Sequence, residues 1–242
     1  MQKVIFPLVL AVGFLSMLLL FVSGVGYQSG RLELSQAFGL MRYCAIAGIS
    51  GVGVAIFYIL WQRPLGLRLG VMFLAALCGL AAFYLPYRQQ LMARLVPPIH
   101  DITTDTSNPP AFVAVLPLRA GAANPPEYAG AEVAELQRAA YPDLMTLELA
   151  TTPDAVFAAA LLVVAASGWE LVDANAEAGR IEAVATTRWF GFKDDVVIRI
   201  QPGRTGSSLV DLRSKSRVGR SDIGANAERI RGFLTALRQQ LQ

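Results

Sequence analysis

His100 and Asp101 stand side by side, with Asp105 four residues further on, and of all groupings in the chain this one comes closest to enzyme chemistry. An imidazole beside carboxylates can act as a general base, and adjacent His and Asp suit a metal-dependent phosphohydrolase. The chain has a single histidine, so a metal site built on several histidines is excluded by count. Its two cysteines, Cys44 and Cys78, both lie in apolar runs, which removes Cys-based zinc from the remainder. No nucleophile or oxyanion site can be identified beside His100. The structural alternative makes Asp101 and Asp105 turn caps in an ordered linker, with His100 bonded to backbone. His100, Asp101 and Asp105 are therefore weak catalytic candidates, and neither a metal nor a cofactor is expected.

A second grouping suits binding. From Arg213 to Arg238 there are seven basic residues against only Asp222 and Glu228. Ser214, Ser216 and Ser221 add hydroxyls, and Gly219 and Gly224 permit tight turns ahead of a helix N-terminus, where free N–H groups and the helix dipole favour an anion. Arg213, Arg217 and Arg220 have the fork geometry that holds a phosphate or carboxylate. The alternative is that Ser221 or Asp222 caps the helix while the arginines pair with acids of neighbouring strands, and an Asp at the cap would itself repel an anion. A third grouping is aromatic. Trp189-Phe190-Gly191-Phe192 falls at a hairpin tip or strand edge, where it either dips into a bilayer interface, lines an apolar groove, or joins the core. The ligand-binding candidates are thus Arg213, Ser214, Ser216, Arg217, Arg220, Ser221, Trp189 and Phe190.

The elements that must carry these residues fall into two regimes. Residues 1–96 hold seven basic residues against one acid, and residues 97–242 hold fourteen against seventeen. The sequence pI near 9.0 therefore belongs to the first part and gives no sign of nucleic-acid binding. Three runs are long enough to cross about 30 Å of hydrocarbon, which takes roughly 20 apolar residues: Val4 to Val22, Tyr43 to Trp61, and Leu67 to Leu85. Helix is the reading for each, because a segment in hydrocarbon must satisfy its own backbone. Tyr27, Tyr43, Tyr58, Trp61, Tyr84 and Tyr87 lie near the ends, as an interfacial belt does. The first run exceeds a usual signal-peptide core and lacks a small-x-small cleavage site, so a retained helix is expected. Charge does not orient the bundle, since Lys3, Arg63 and Arg68 on one side face Arg31, Arg42, Arg88 and Arg94 on the other. Three crossings do place the two ends on opposite sides. Ala47, Gly51 and Ala55, with Gly48 beside them, and Ala75 with Gly79 form candidate packing faces. With no acid inside any span, a transporter or channel lacks its usual residues.

Pro97-Pro98 marks the exit, and Ile99 to Pro126 reads as extended chain and turns with one strand-like run, Ala111 to Leu116. Helical spacing over Ala129 to Ala140 is followed by a strand at Leu144 to Leu149. A helix with a hydroxyl cap then runs from Thr151–Asp154 to Gly168. Strands follow at Trp169–Ala174, Arg180–Thr187, Asp195–Ile200 and Ser208–Ser214, before a last helix from Ser221 or Asp222 to Leu241. Consecutive hairpins with two flanking helices predict a two-layer α+β domain with a mainly antiparallel sheet over residues 97–242, behind a three-helix transmembrane anchor over 1–96.

The segment His100-Asp101-Ile102-Thr103-Thr104-Asp105, followed by Pro109-Pro110-x-Phe112, resembles the opening motif of an uncharacterised bacterial and plastid family, domain of unknown function fourteen-ninety-nine. The stretch Val210-Asp211-x-Arg213-Ser214-x-Ser216-Arg217-Val218-Gly219-x-Ser221-Asp222-x-Gly224-Ala225-Asn226-x-x-Arg229-Ile230 is similar to its closing motif. The resemblance spans essentially residues 97–242. It implies an extracytoplasmic domain and no known activity. The expectation is then a non-enzymatic cell-envelope protein, multi-pass in a bacterial inner membrane, with a periplasmic domain. Its partners would be the lipid bilayer, a lipid or anionic envelope ligand, or a membrane protein, and no nucleic acid. The rival is a hydrolase-like enzyme on an anionic envelope substrate, using His100, Asp101 and Asp105.

Overall fold

The computed structural model describes residues 2–242; the side chains of residues 2–4 and of Thr205 lie outside that description, so Lys3, counted among the charges above, has no described side chain. The chain forms two compact units, one of residues up to Met92 together with Arg188–Gly191, the other of Ala93–Thr187 and Phe192–Gln242.

The first unit is built on three helices, α1 (Gln2–Gln28), α2 (Leu34–Gln62) and α3 (Leu67–Leu95), each long and apolar enough to cross a membrane. α2 begins nine residues before the expected Tyr43, and α3 continues through Pro86 to Leu95. The serine hydroxyls within α1 are satisfied by their own helix: Ser16 donates to the Val12 carbonyl and Ser23 to that of Leu20, both at 2.6 Å. The helices meet on small residues. The buried positions of α2 are Ala37, Cys44, Gly48, Gly51, Ala55 and Tyr58, and those of α3 are Met72, Ala75, Gly79 and Ala82. A methyl group at Gly79 would lie 2.8 Å from the Gly48 carbonyl oxygen, and one at Gly48 would collide with the Gly79 carbonyl. Ala47 is exposed, which corrects the expected face: the contact follows a 3–4 spacing through Cys44, Gly48, Gly51 and Ala55, and Ala47 lies off it.

The second unit is an antiparallel sheet with helices. Its strands are β1 (Asp101–Thr103), β2 (Leu147–Leu149), β3 (Glu170–Asn175), β4 (Arg180–Thr186), β5 (Lys193–Pro202) and β6 (Ser208–Ser216); its helices are α4 (Ala131–Ala140), α5 (Pro153–Ala166) and α6 (Ala225–Gln240). The order is β1-β6-β5-β4-β3, and β2 shares the outer edge of β6 with β1, β2 pairing Ser208–Val210 and β1 pairing Arg213–Lys215. Strand alternation sends Ile181, Ala183, Val196, Ile198, Val210 and Leu212 to one face. There they form the core with Val156, Ala160 and Val163 of α5 and Ile230, Phe233 and Leu237 of α6. The tight turn from β3 to β4 needs Gly179, at φ +61°, because a side chain there would strike the Ile200 carbonyl.

Three expectations are corrected. Ala111 to Leu116 is not a strand: it is irregular chain that ends in a 3₁₀ turn at Leu116–Arg119. Its amides find a side chain instead of a ladder, since Val113, Ala114 and Val115 all donate to the Glu182 carboxylate at 3.0–3.1 Å. Within the segment read as extended chain and turns, Asp101–Thr103 is a strand of the sheet. At the start of α5, Thr152 makes no side-chain cap hydrogen bond.

Candidate functional site

The second face of the sheet decides where the chemistry-bearing residues go. On β6 the residues alternating with the core positions are Asp211, Arg213 and Lys215, on β5 they are Asp195, Val197 and Arg199, and on β4 Glu182 and Val184. Most of these are charged, yet Asp195, Glu182 and Lys215 are no more than 1% exposed. Water is excluded because the segment after β1 lies over them. Phe112 and Val115 pack on Val184 and Val197, and each charge has an ion-pair partner inside the layer. A buried charge is tolerated only when paired and hydrogen-bonded, and here each is.

Asp101 on β1 receives both arms of the Arg213 guanidinium, at 2.9 and 2.8 Å, and the Lys215 ammonium at 2.9 Å. Arg213 also donates to the Pro110 and Pro126 carbonyls and lies 4.7 Å from the centre of the Phe112 ring. Lys215 donates to the Glu127 carbonyl at 2.5 Å. Burial pulls the Lys215 ammonium below its ordinary value; Asp101 opposes that, while Arg213 and Arg119 add to it. Asp195 is held by Arg217 at 2.7 Å and by Arg119. Toward the other end, Arg199 bridges Asp211 at 2.7 Å and Asp105 at 3.0 Å, and Arg180 stands beside Glu182 at 2.9 Å. Burial pushes the Asp105 carboxyl up, but the amides of Asn108 and Ser107 and the Arg199 guanidinium outweigh it and leave it below the usual carboxylate range.

The candidate residues thus divide. Arg213 and Arg217 pair with Asp101 and Asp195, so neither guanidinium is left open to an outside anion as the binding expectation required. Ser214 donates to the Asn226 side chain, Ser216 accepts from it, and Ser221 accepts from the Ile223 amide. Asp222 organises the start of α6, taking the amides of Gly224 and Asn226 at 2.9 and 2.8 Å, while burial raises its carboxyl. Asp105 is tied to Arg199, whereas His100 and Asp101 line a separate small cleft of about 180 Å³ with Arg220, Pro98, Ile99, Ala129 and Val133. The three residues of the hydrolase expectation therefore do not meet in one cleft, and Asp101 is engaged by two cations rather than poised as a base. Arg119 and Glu182, which tie the overlying segment to the sheet, were missed from the sequence. The partial alternation of charged with apolar residues, Asp211, Arg213 and Lys215 on β6 and Asp195 and Arg199 on β5, was the signal for a second buried face.

Trp189 and Phe190 occupy the tip between β4 and β5 and group with the helical unit. Phe190 is buried, with ring centres 6.1 Å from Tyr27 and 5.7 Å from Phe38. Trp189 packs with Leu20, Cys44 and Ala82, and its indole lies over Gly24, where no side chain would fit beside it. Together with Met17, Leu20, Phe21, Val25, Gln28 and Leu85, Arg188 and Trp189 wall an apolar groove of about 480 Å³.

No curated protein matches the chain. A family described as "Protein of unknown function (DUF1499)" matches residues 101–237, from the first residue of β1 into the last turns of α6. That span is more than half of the sequence and contains the whole sheet with its charged layer, and the chain belongs to this family.

Proposed function

We propose that this is a multi-pass protein of a bacterial inner membrane, anchored by α1–α3, whose remaining domain works in the periplasm by binding a lipid, another envelope component or a membrane-protein partner, without turning over a substrate. Anchoring is supported by the inverted pattern of the helical unit. Gly48, Gly51, Ala55, Ala75, Gly79 and Ala82 are among its buried contact residues, while Tyr43, Leu60, Leu65 and Leu67 are more than 70% exposed, the arrangement favoured where the surroundings are as apolar as the side chains. On this reading three crossings put the domain on the side opposite the start of α1. An alkaline phosphatase fused after Gln242 would be active on a periplasmic side and inactive in the cytoplasm.

The single observation that carries the binding reading is the groove beside Trp189. It is walled by aliphatic and aromatic side chains along α1, with the Arg188 cation at its edge. This is the composition that accepts an acyl chain and meets a phosphate at the headgroup level. The test is native mass spectrometry of the full chain released from membranes in mild detergent. Phospholipid retained by the parent chain and lost on Arg188→Gln together with Trp189→Leu supports lipid binding. A lipid-free parent, or equal retention by the variant, defeats it.

A further inference from the structure

One end of the buried layer carries more positive charge than its acids cancel. Among the described residues, Arg119, Arg213, Lys215 and Arg217 make their ion pairs with only two carboxylates, Asp101 and Asp195. The carbonyls of Pro110, Pro126, Asn124 and Glu127 satisfy the remaining donors, but a carbonyl dipole does not cancel a net charge. On the opposite face Asp194 is paired with Arg229, and Asp222 is bound to backbone amides. Asp101, with two cations on its carboxylate, also forms part of the wall of the cleft shared with His100 and Arg220. Arg220 is exposed and, among the described residues, has no carboxylate within ion-pair reach. The cleft is therefore lined by a carboxylate paired with two cations and by a further arginine, Arg220.

We propose that this cleft binds a phosphate group carrying a small apolar substituent. The Arg220 guanidinium holds the oxygens, the Arg213–Lys215 charge behind Asp101 supplies the field, His100 borders the anion, and Ile99, Ala129 and Val133 meet the substituent. In a low-dielectric setting the single positive charge that Asp101 leaves uncancelled on Arg213 and Lys215 is screened less than that of an exposed side chain, and it adds to the pull of Arg220 on an oxyanion. About 180 Å³ accommodates a phosphate with a few carbons and excludes a large headgroup. The proposal names a ligand chemistry for the domain in the binding reading above, and its residues are separate from the groove beside Trp189.

The experiment is calorimetric titration of the full chain in non-ionic detergent with two probes at matched ionic strength: inorganic phosphate and monobutyl phosphate. Tighter binding of the butyl ester, or binding of the ester alone, supports a site for a substituted phosphate. Equal or tighter binding of inorganic phosphate overturns the contact with Ile99, Ala129 and Val133. Arg220→Gln is expected to weaken binding about 10–100-fold, the range for loss of a charge-assisted hydrogen bond. Because the Arg220 side chain has no ion-pair partner among the described residues, the variant keeps the parent's melting temperature, and His100→Gln weakens binding less. No heat with either probe, equal affinity in Arg220→Gln, or an equal response to chloride overturns the proposal. Loss of lipid from the Trp189 groove in the mass-spectrometric test leaves this result unchanged, so the two failures are distinguishable.

Discussion

Asp101 and Arg213 are joined across neighbouring strands by two parallel hydrogen bonds, at 2.9 and 2.8 Å, with both side chains no more than 3% exposed. They are register partners only at one remove, since Asp101 lies opposite Lys215 and Thr103 opposite Arg213. The bidentate pair and the Lys215 contact therefore fix β1 diagonally on β6. A carboxylate serving two buried cations is more costly to lose than either cation. Asp101→Asn is expected to destabilise the chain by about 3–5 kcal/mol, the range for breaking one side of a buried pair. Lys215→Met, which leaves Asp101 its arginine, is expected to cost clearly less. Chemical denaturation of the full chain in detergent measures both. A cost for Asp101→Asn below that of Lys215→Met would contradict this arrangement.

Glu182 is the acceptor for three consecutive amides, Val113 to Val115. Removing it takes the acceptor from all three and leaves the buried Val115 N–H unsatisfied, at about 1–3 kcal/mol. Glu182→Ala is expected to release the segment locally before the sheet unfolds. Hydrogen exchange should lose protection at Val113–Val115 while Ile198 and Leu212 stay protected. Unchanged exchange at Val113–Val115 would show that some other contact holds the segment.

Gly48 and Gly53 lie on the same helix and make opposite predictions. A methyl at Gly48 meets the Gly79 backbone, whereas one at Gly53 has nothing within 4 Å. Gly48→Ala is expected to force α2 and α3 apart and lower the melting temperature. Gly53→Ala is expected to be neutral, or to stabilise by about 1 kcal/mol through helix propensity. Equal effects at the two positions would show that the small-residue contact does not set the spacing.

Tyr128 carries a buried hydroxyl with no hydrogen-bond partner among the described residues. Burial, helped by the Asp101 charge, pushes its ionisation up to about 12, against the pull of Arg213 and Arg138. An acid whose folded pKa lies above its unfolded value favours the protonated folded form. Its contribution is complete below the unfolded value of 10.0 and is lost as pH rises through about 12. Stability is therefore expected to fall over that window, and Tyr128→Phe to remove that part of the fall. At neutral pH the substitution is expected to be neutral or slightly stabilising, since the hydroxyl has no partner among the described residues. Denaturation midpoints at pH 8 and pH 11 decide it; a large loss for Tyr128→Phe at pH 8 would mean that the hydroxyl has a partner.

The sequence by itself determined the elements whose signal is local. Three long apolar runs, the period-two strands from β3 to β6, and the helices α4 and α5 are read from side chains within a few residues of one another, because helix and strand burial repeat along the chain. The family was legible for the same reason, since its two motifs are contiguous. Tertiary structure alone decided the role of the segment from Asp101 to Glu127. Its proline, threonine and aspartate content reads as a linker, yet β1 pairs with β6, over a hundred residues away, and Val113–Val115 bind Glu182, 67 to 69 residues away. It likewise decided that Arg213 and Arg217 pair inward while Arg220, a few residues on, has no ion-pair partner among the described residues. A guanidinium's partner is whichever carboxylate the fold brings within about 3 Å, and a distance between remote strands leaves no periodic trace in the chain that encodes it.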